Sequence, residues 1–348
     1  MKKLFLNFII IFLVSNTYGQ IKDCSNYQES INNAELNAIK GNTQEALNIY
    51  YSLLTKSDGN FSKDIYNSLI LANELKKYDT LFTLLELVKQ KNFDNEYLLG
   101  LTEFSNLHSH PKWQKFISTN NQVIYIDTLL KQKINNLHSL DQYFRVKEGS
   151  YQTYGDTIRK IDSLNMAYIL SLITKNGLPG EKEIGAQNFR GSQGYDIVIH
   201  HHCQSISQSE SQRIRSGTAP KKDLIVMTPI LIEQAKLGRI LPNKCAQYLE
   251  YQNNGFNAGV FDVFRYSYNN DYSDWFAPKY DEHKKESINK SRMSIFLEPL
   301  EDYYKKVIYK TSNKNSKLIF DIRLNTFNMA KEEDFLRMQK SEKHVILK

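Results

Sequence analysis

Residues 38–54 read AIKGNTQEALNIYYSLL, and this stretch decides the fold class. Gly41 breaks a helical segment that begins near Asn32, and Thr43 is placed to cap the next one. Ala46, Leu47, Tyr50, Leu53 and Leu54 then fall on one helix face. The pattern returns further on: Ala38 recurs as Ala72, Leu47 as Leu81 and Leu54 as Val88, each 34 residues later. Residues 27–107 carry helical periodicity and almost no strand signal, so the first third is expected to be stacked helix pairs.

A period of 34 residues is that of the tetratricopeptide repeat. The first copy resembles that repeat at its Gly, Ala and Tyr positions, whereas Leu75 and Thr80 stand where the second copy would carry Gly and Ala. Residues 94–107 are expected to cap the pair. The resemblance implies a peptide-binding groove, but two copies form a shallow one, and a scaffold packed on the following domain is the plainer expectation. In 104–117, FSNLHSHPKWQKFI, Pro111 ends any preceding helix and Trp113 can pack on Phe116. His108 and His110 have no cysteine or carboxylate cluster beside them and read as junction residues rather than metal ligands.

Outward from there, the chain begins Met1-Lys2-Lys3, continues with an apolar run from Leu4 to Val14 and reaches Thr17-Tyr18-Gly19 before Gln20. This is the layout of a secretory signal peptide, cleaved near Gly19-Gln20. The run is too short to span a bilayer, and Ile21-Lys22-Asp23 before Cys24 is no lipidation motif. The expectation is a periplasmic or extracellular protein with no membrane anchor after cleavage. A net charge of +7 among 348 residues is too small and too dispersed to argue a nucleic-acid partner. The three cysteines, Cys24, Cys203 and Cys245, permit at most one internal bridge in an oxidising compartment, and Cys203–Cys245 is the expected pair.

From Ile124 the pattern changes. Residues 124–148 read as a long amphipathic helix through Ile126, Leu129, Leu130, Ile134, Leu137 and Phe144, carrying Asp141, Gln142 and Arg145. A second helix is expected over about 156–176, with Asp162 and Asn165 three apart and a stop at Asn176-Gly177 before Pro179. Then come Glu183-Ile184-Gly185 and the run Ile197-Val198-Ile199-His200-His201-His202-Cys203. Residues 204–222, rich in Ser and Gln, read as an inserted polar loop.

The order D-Q-x-x-R, D-x-x-N, G-x-P, I-G and an apolar run ending at histidine resembles the bacterial domain of unknown function six-six-two-four. The resemblance continues through Ala235 to Gly238, Tyr248-Leu249, Arg292 and Leu297 to Tyr303, covering about residues 124–305. It departs where the family shows Q-H-A-D, so that only His201 carries over, and where an Asp-Arg pair falls on Tyr251-Gln252.

Asp141, Arg145, Asp162, Asn165 and His201 are therefore the candidate catalytic residues. A histidine beside a carboxylate can act as general base, and an arginine can bind an anion. On a helix three consecutive histidines point about 100° apart, so one metal cannot easily take all three and His200 shares a face with Cys203, whereas on a strand His200 and His202 share one. Either pair needs further ligands, for which Cys245 and Asp196 are the candidates, and no metal or cofactor is assigned. No phosphate loop, zinc-binding HExxH helix or nucleophile elbow is present.

Farther on, Lys306–Lys310 and Lys317–Ile322 read as two strands of a β-hairpin, and Ala330–Lys340 as a last surface helix. The sequence thus predicts a mostly α protein: a signal peptide (1–19), a helical-repeat region (20–120), a helical domain (121–305), and a hairpin and tail (306–348). Its leading functional expectation is an exported interaction module with an envelope protein or peptide partner. The alternative is a hydrolase-like enzyme using His201 with Asp141 or Asp162.

Overall fold

The computed structural model describes residues 24–57, 60–119, 126–216, 225–253, 260–268, 275–327, 333 and 344–347. The expected signal peptide and the expected surface helix at 330–340 lie outside the described residues, apart from position 333. The protein is mostly α.

Helices α1 (24–39) and α2 (Thr43–Leu54) form one pair, and α3 (Ser62–Glu74) and α4 (Tyr78–Lys89) form the next. Leu47, Leu54, Leu81 and Val88 are all buried, as their spacing requires. The two turns repeat in their backbone hydrogen bonds: Asn42 N–H to Asn37 O and Lys77 N–H to Ala72 O, Ala46 N–H to Asn42 O and Leu81 N–H to Lys77 O. At the turns the copies are therefore 35 residues apart, one more than the side-chain match. Lys76, rather than Leu75, takes the place of Gly41, and both are left-handed, at φ 56° and 82°. A non-glycine residue there costs about 1–2 kcal/mol.

Residues 94–107 are not one helix but a short α5 (Asn95–Leu99), capped by Asp94, and a 3-10 turn (Thr102–Leu107). Pro111 opens α6 (Pro111–Thr119), where its missing N–H removes no helical bond. Trp113 packs on Phe116 at 5.8 Å between ring centroids and on His108 at 5.5 Å, and His110 lies against Phe82. Both histidines are thus packed at this junction.

The second half is built on α7 (Thr128–Tyr143), α8 (Ser150–Asn176), α9 (Glu181–Ile184), α10 (Asp196–Ser216), α11 (Thr228–Lys236), α12 (Pro242–Gln252), α13 (Glu282–Met293) and α14 (Leu300–Ser312). α7 is shorter than the expected 124–148 because Asp127 caps it, accepting the Leu130 N–H at 2.8 Å, and because the chain turns after Tyr143. Gly149, left-handed at φ 77°, lets α8 begin earlier than expected. Of the expected polar loop at 204–222, residues 204–216 are helix, and 217–222 lie outside the described residues. The segment contains neither Gly nor Pro before Gly217, and Ser205 satisfies its hydroxyl on the His201 carbonyl.

The hairpin expected over 306–322 is absent. Lys306–Lys310 lies inside α14, whose buried Leu300, Tyr303 and Val307 show the helical period. Residues 317–322 form no strand, and the chain turns at Asp321, where the Ile322 N–H meets the Phe320 carbonyl at 2.9 Å. Instead the Asn67 side chain accepts the Ile319 N–H and donates to the Ile319 carbonyl, both at 2.8 Å, as a strand neighbour would. The sheet that does form has the order β3-β1-β2-β4, from β1 (Phe264–Tyr268), β2 (Trp275–Pro278), β3 (Arg323–Phe327) and β4 (His344–Leu347). β1 pairs antiparallel with β2 and parallel with β3, and β2 pairs antiparallel with β4.

Ala186, Phe189, Leu241, Leu318 and Phe320 complete the apolar core of the N-terminal helices, so position 120 does not separate two closed cores. Between the halves lies a buried charge network. Lys63 meets Glu35 at 2.8 Å, Asp321 at 2.9 Å and Asp64 at 3.2 Å, and Lys306 meets Glu35 at 2.5 Å and Glu298 at 3.4 Å. Burial pushes the Lys63 ammonium down, but the carboxylates of Asp321, Asp64 and Glu35 outweigh it and hold it well above the ordinary lysine range.

Cys203 and Cys245 are free buried thiols, not the expected bridge. They sit in the apolar core of α10 and α12, where burial pushes the Cys203 thiol up to about 12 and Cys245 higher still. They pack as small hydrophobes.

Candidate functional site

α7, α8 and α10 bring the sequence-predicted residues together. Gly194, just before α10, sits so close to α7 that an added Cβ would come within about 2.2 Å of the Ile134 carbonyl oxygen. His201 follows Gly194 by the same interval that separates Asp141 from Ile134, about two helical turns. The close approach at the glycine therefore sets the register in which His201 meets Asp141.

Asp141 is 1% exposed. Its Oδ1 lies 3.0 Å from His201 Nδ1. Its Oδ2 accepts from the Gln142 side chain at 2.7 Å and faces Arg145 Nη1 at 3.1 Å. Arg145 Nη2 spans both Asp162 oxygens at 2.8 Å and reaches the Tyr151 hydroxyl at 3.1 Å. Burial pushes the Asp162 carboxyl up, with Arg145 opposing. The Arg145 guanidinium is pushed down by burial, but Asp162 and Asp141 leave it above its ordinary value. Asn165, on the same α8 turn as Asp162, is buried, and its Nδ2 has no acceptor among the described residues. Arg145 Nε is likewise a buried donor with no acceptor among the described residues.

An ionised carboxylate only accepts hydrogen bonds, so the nitrogen facing Asp141 is the protonated one. His201 Nε2 then carries the lone pair, and no described residue hydrogen-bonds to it. No Ser, Thr or Cys side chain bonds the His201 ring among the described residues. Asp141, Asp162 and His201 also offer three ligand atoms within 4.8 Å of one another. The Arg145 guanidinium already bonds both carboxylates, so a metal cation would have to displace it.

The other two histidines diverge as the helical rotation requires. His200 meets the edge of Tyr251 at 4.2 Å, and His202 Nε2 contacts the Ile225 carbonyl at 2.9 Å. Tyr251 and Gln252 have structural partners here, the latter accepting the Met227 N–H at 2.7 Å. Arg292 and Tyr303 do not join the site. The fully buried Arg292 donates to the carbonyls of Glu298 at 2.6 Å and Phe261 at 2.7 Å, and it stacks on Tyr303 at 4.8 Å. Sequence reading missed Tyr151 and Gly194. A tyrosine six residues past Arg145 gave no periodic signal, and a glycine needed for tertiary approach has no local signature.

A larger cavity of about 1030 Å³ opens elsewhere, between α1 and α2 on one side and Glu181, Leu237 and Arg239 on the other, and none of the five candidate residues lines it. Comparison with family models, with curated proteins and with solved structures found no match for the chain.

Proposed function

We propose that the chain is a hydrolase-like enzyme in which His201, oriented by Asp141, is the general base. The observation that carries this reading is the single contact from His201 Nδ1 to the buried Asp141 carboxylate at 3.0 Å, with Nε2 left free. Asp141 fixes the tautomer and stabilises the imidazolium that forms when Nε2 takes a proton. With no side-chain nucleophile on the ring among the described residues, the attacking group is water. Its oxygen bonds to the electrophilic centre as its proton goes to Nε2, and the bond to the leaving group then breaks as the imidazolium returns that proton to the leaving atom. Arg145 faces Asp141 at 3.1 Å and Asp162 at 2.8 Å, so its charge offsets both carboxylates. The test is a panel of chromogenic esters, amides and phosphoesters. Turnover by the wild type that is lost in His201→Ala supports the reading, and no turnover of any substrate by the wild type contradicts it.

A second reading, an exported interaction module, is favoured by the exposed apolar side chains around this end of the bundle: Leu140, Tyr143, Val146, Tyr151 and Leu164. The kinship of α1–α4 with tetratricopeptide repeats and of residues 124–305 with the domain family six-six-two-four belongs to the same proposal, supported by the residue patterns. Export is supported by the cationic start, the Leu4–Val14 run and the small residues before Gln20. Among the described residues no helix is long and apolar enough to cross a membrane. Mass spectrometry of the exported protein is expected to find Gln20 at the N-terminus, and an intact Met1 would contradict cleavage.

A further inference from the structure

The turn that joins α7 to α8 carries three aromatic rings around one ammonium. Lys147 Nζ lies 4.0 Å from the ring centroid of Tyr143, 4.8 Å from that of Phe144 and 5.9 Å from that of Tyr154. Tyr143 and Phe144 meet at 90° with centroids 4.9 Å apart, and Phe144 and Tyr154 meet at 44° and 5.1 Å. The rings therefore wall a corner and are not stacked flat. Lys147 has no ion pair or hydrogen bond among the described residues, so the rings alone hold its ammonium. Tyr143 is 56% exposed and the neighbouring Val146 77% exposed. An ordinary turn needs no such open apolar surface.

We propose that Tyr143, Phe144 and Tyr154 form a binding site for an alkylated ammonium group, which Lys147 fills when no ligand is present. Ring faces attract cations through their quadrupoles, and several rings around a desolvated alkylammonium are the usual recognition device for such groups. A lysine on the mobile arm of its own side chain is a removable occupant. The site neighbours Arg145 but uses none of its polar contacts, so it stands whether or not His201 is a catalytic base.

The test is titration with tetramethylammonium chloride, with sodium chloride as control, followed by the NMR signals of the three rings. Saturable binding is expected, about tenfold tighter in Lys147→Met than in the wild type because the internal competitor is gone. Within the Lys147→Met background, Tyr143→Leu keeps apolar bulk but loses the quadrupole and is expected to weaken binding about threefold. Tyr154→Leu gives an independent check should Tyr143→Leu disturb the turn. No saturable shift in either the wild type or Lys147→Met overturns the proposal, and so does binding that neither leucine variant weakens. A sedimentation arm with phosphatidylcholine or phosphatidylglycerol vesicles separates the sources of the group. Selective binding to the former assigns a lipid headgroup, and tetramethylammonium binding without it assigns a free cation.

Discussion

Replacing Lys63 with methionine is expected to destabilise the protein by about 3–5 kcal/mol, the range for removing one partner of a buried ion pair. Lys63 is almost wholly buried and faces Glu35, Asp64 and Asp321. Without its ammonium, those carboxylates confront one another in a low-dielectric interior, and only Lys306 remains to offset them at Glu35. Methionine preserves most of the aliphatic stem, so the loss reports the charge. The effect is larger than for any surface pair of the molecule, such as Arg159–Asp156, because exposed pairs contribute about 0–1 kcal/mol. Urea unfolding of wild type and variant measures it, and a difference below about 1 kcal/mol would contradict the role given to the network. The network joins α1 and α3 to α14 and to the segment at Asp321, so its loss is expected to unfold both halves in one transition.

The second large effect is expected at His201. His201→Ala removes the proton acceptor while leaving Asp141 its contacts with Gln142 and Arg145. General-base removal lowers turnover by about 10²- to 10⁴-fold, or roughly 3–5 kcal/mol of barrier. Stability should change far less, because Asp141 remains neutralised by Arg145. A variant that unfolds while the wild type shows no turnover would mark the cluster as a structural network. Asp141→Ala is a poorer probe, since it leaves Arg145 buried with one carboxylate fewer and confounds activity with folding.

The candidate residues were legible because four of the five fall in two pairs, each one helical turn apart in sequence. Asp141 and Arg145 are one turn apart on α7 and its end, and Asp162 and Asn165 one turn apart on α8. That His201 would join them was carried by the family resemblance and not by any local pattern. Its physical cause, the close approach of Gly194 to Ile134, exists only in the packed structure. The histidine run allowed a helix or a strand, and only the helical outcome sends His200 and His202 to other partners.

The misreadings have specific causes. Lys306–Lys310 holds a β-prone Val-Ile-Tyr run between two lysines, which suits a strand, but the wider spacing of Leu300, Tyr303 and Val307 fixes a helix. Residues 317–322 form no strand, and the backbone of Ile319 is held by the Asn67 side chain, a long-range contact that no strand pattern encodes. The Ser/Gln-rich 204–216 looked like a loop from composition, although no helix breaker occurs before Gly217. Arg292 and Tyr303, which the resemblance places in its motif order without a role, form a buried clamp on backbone carbonyls.

The most direct test of the central claim is a double-mutant cycle on turnover with His201→Ala, Asp141→Asn and the double variant, each corrected for its folded fraction. Asp141→Asn removes the charge that fixes the tautomer while keeping the shape. If the two residues act as one unit, the double variant is no slower than His201→Ala alone. Losses that multiply, or a His201→Ala variant as active as the wild type, would contradict the account.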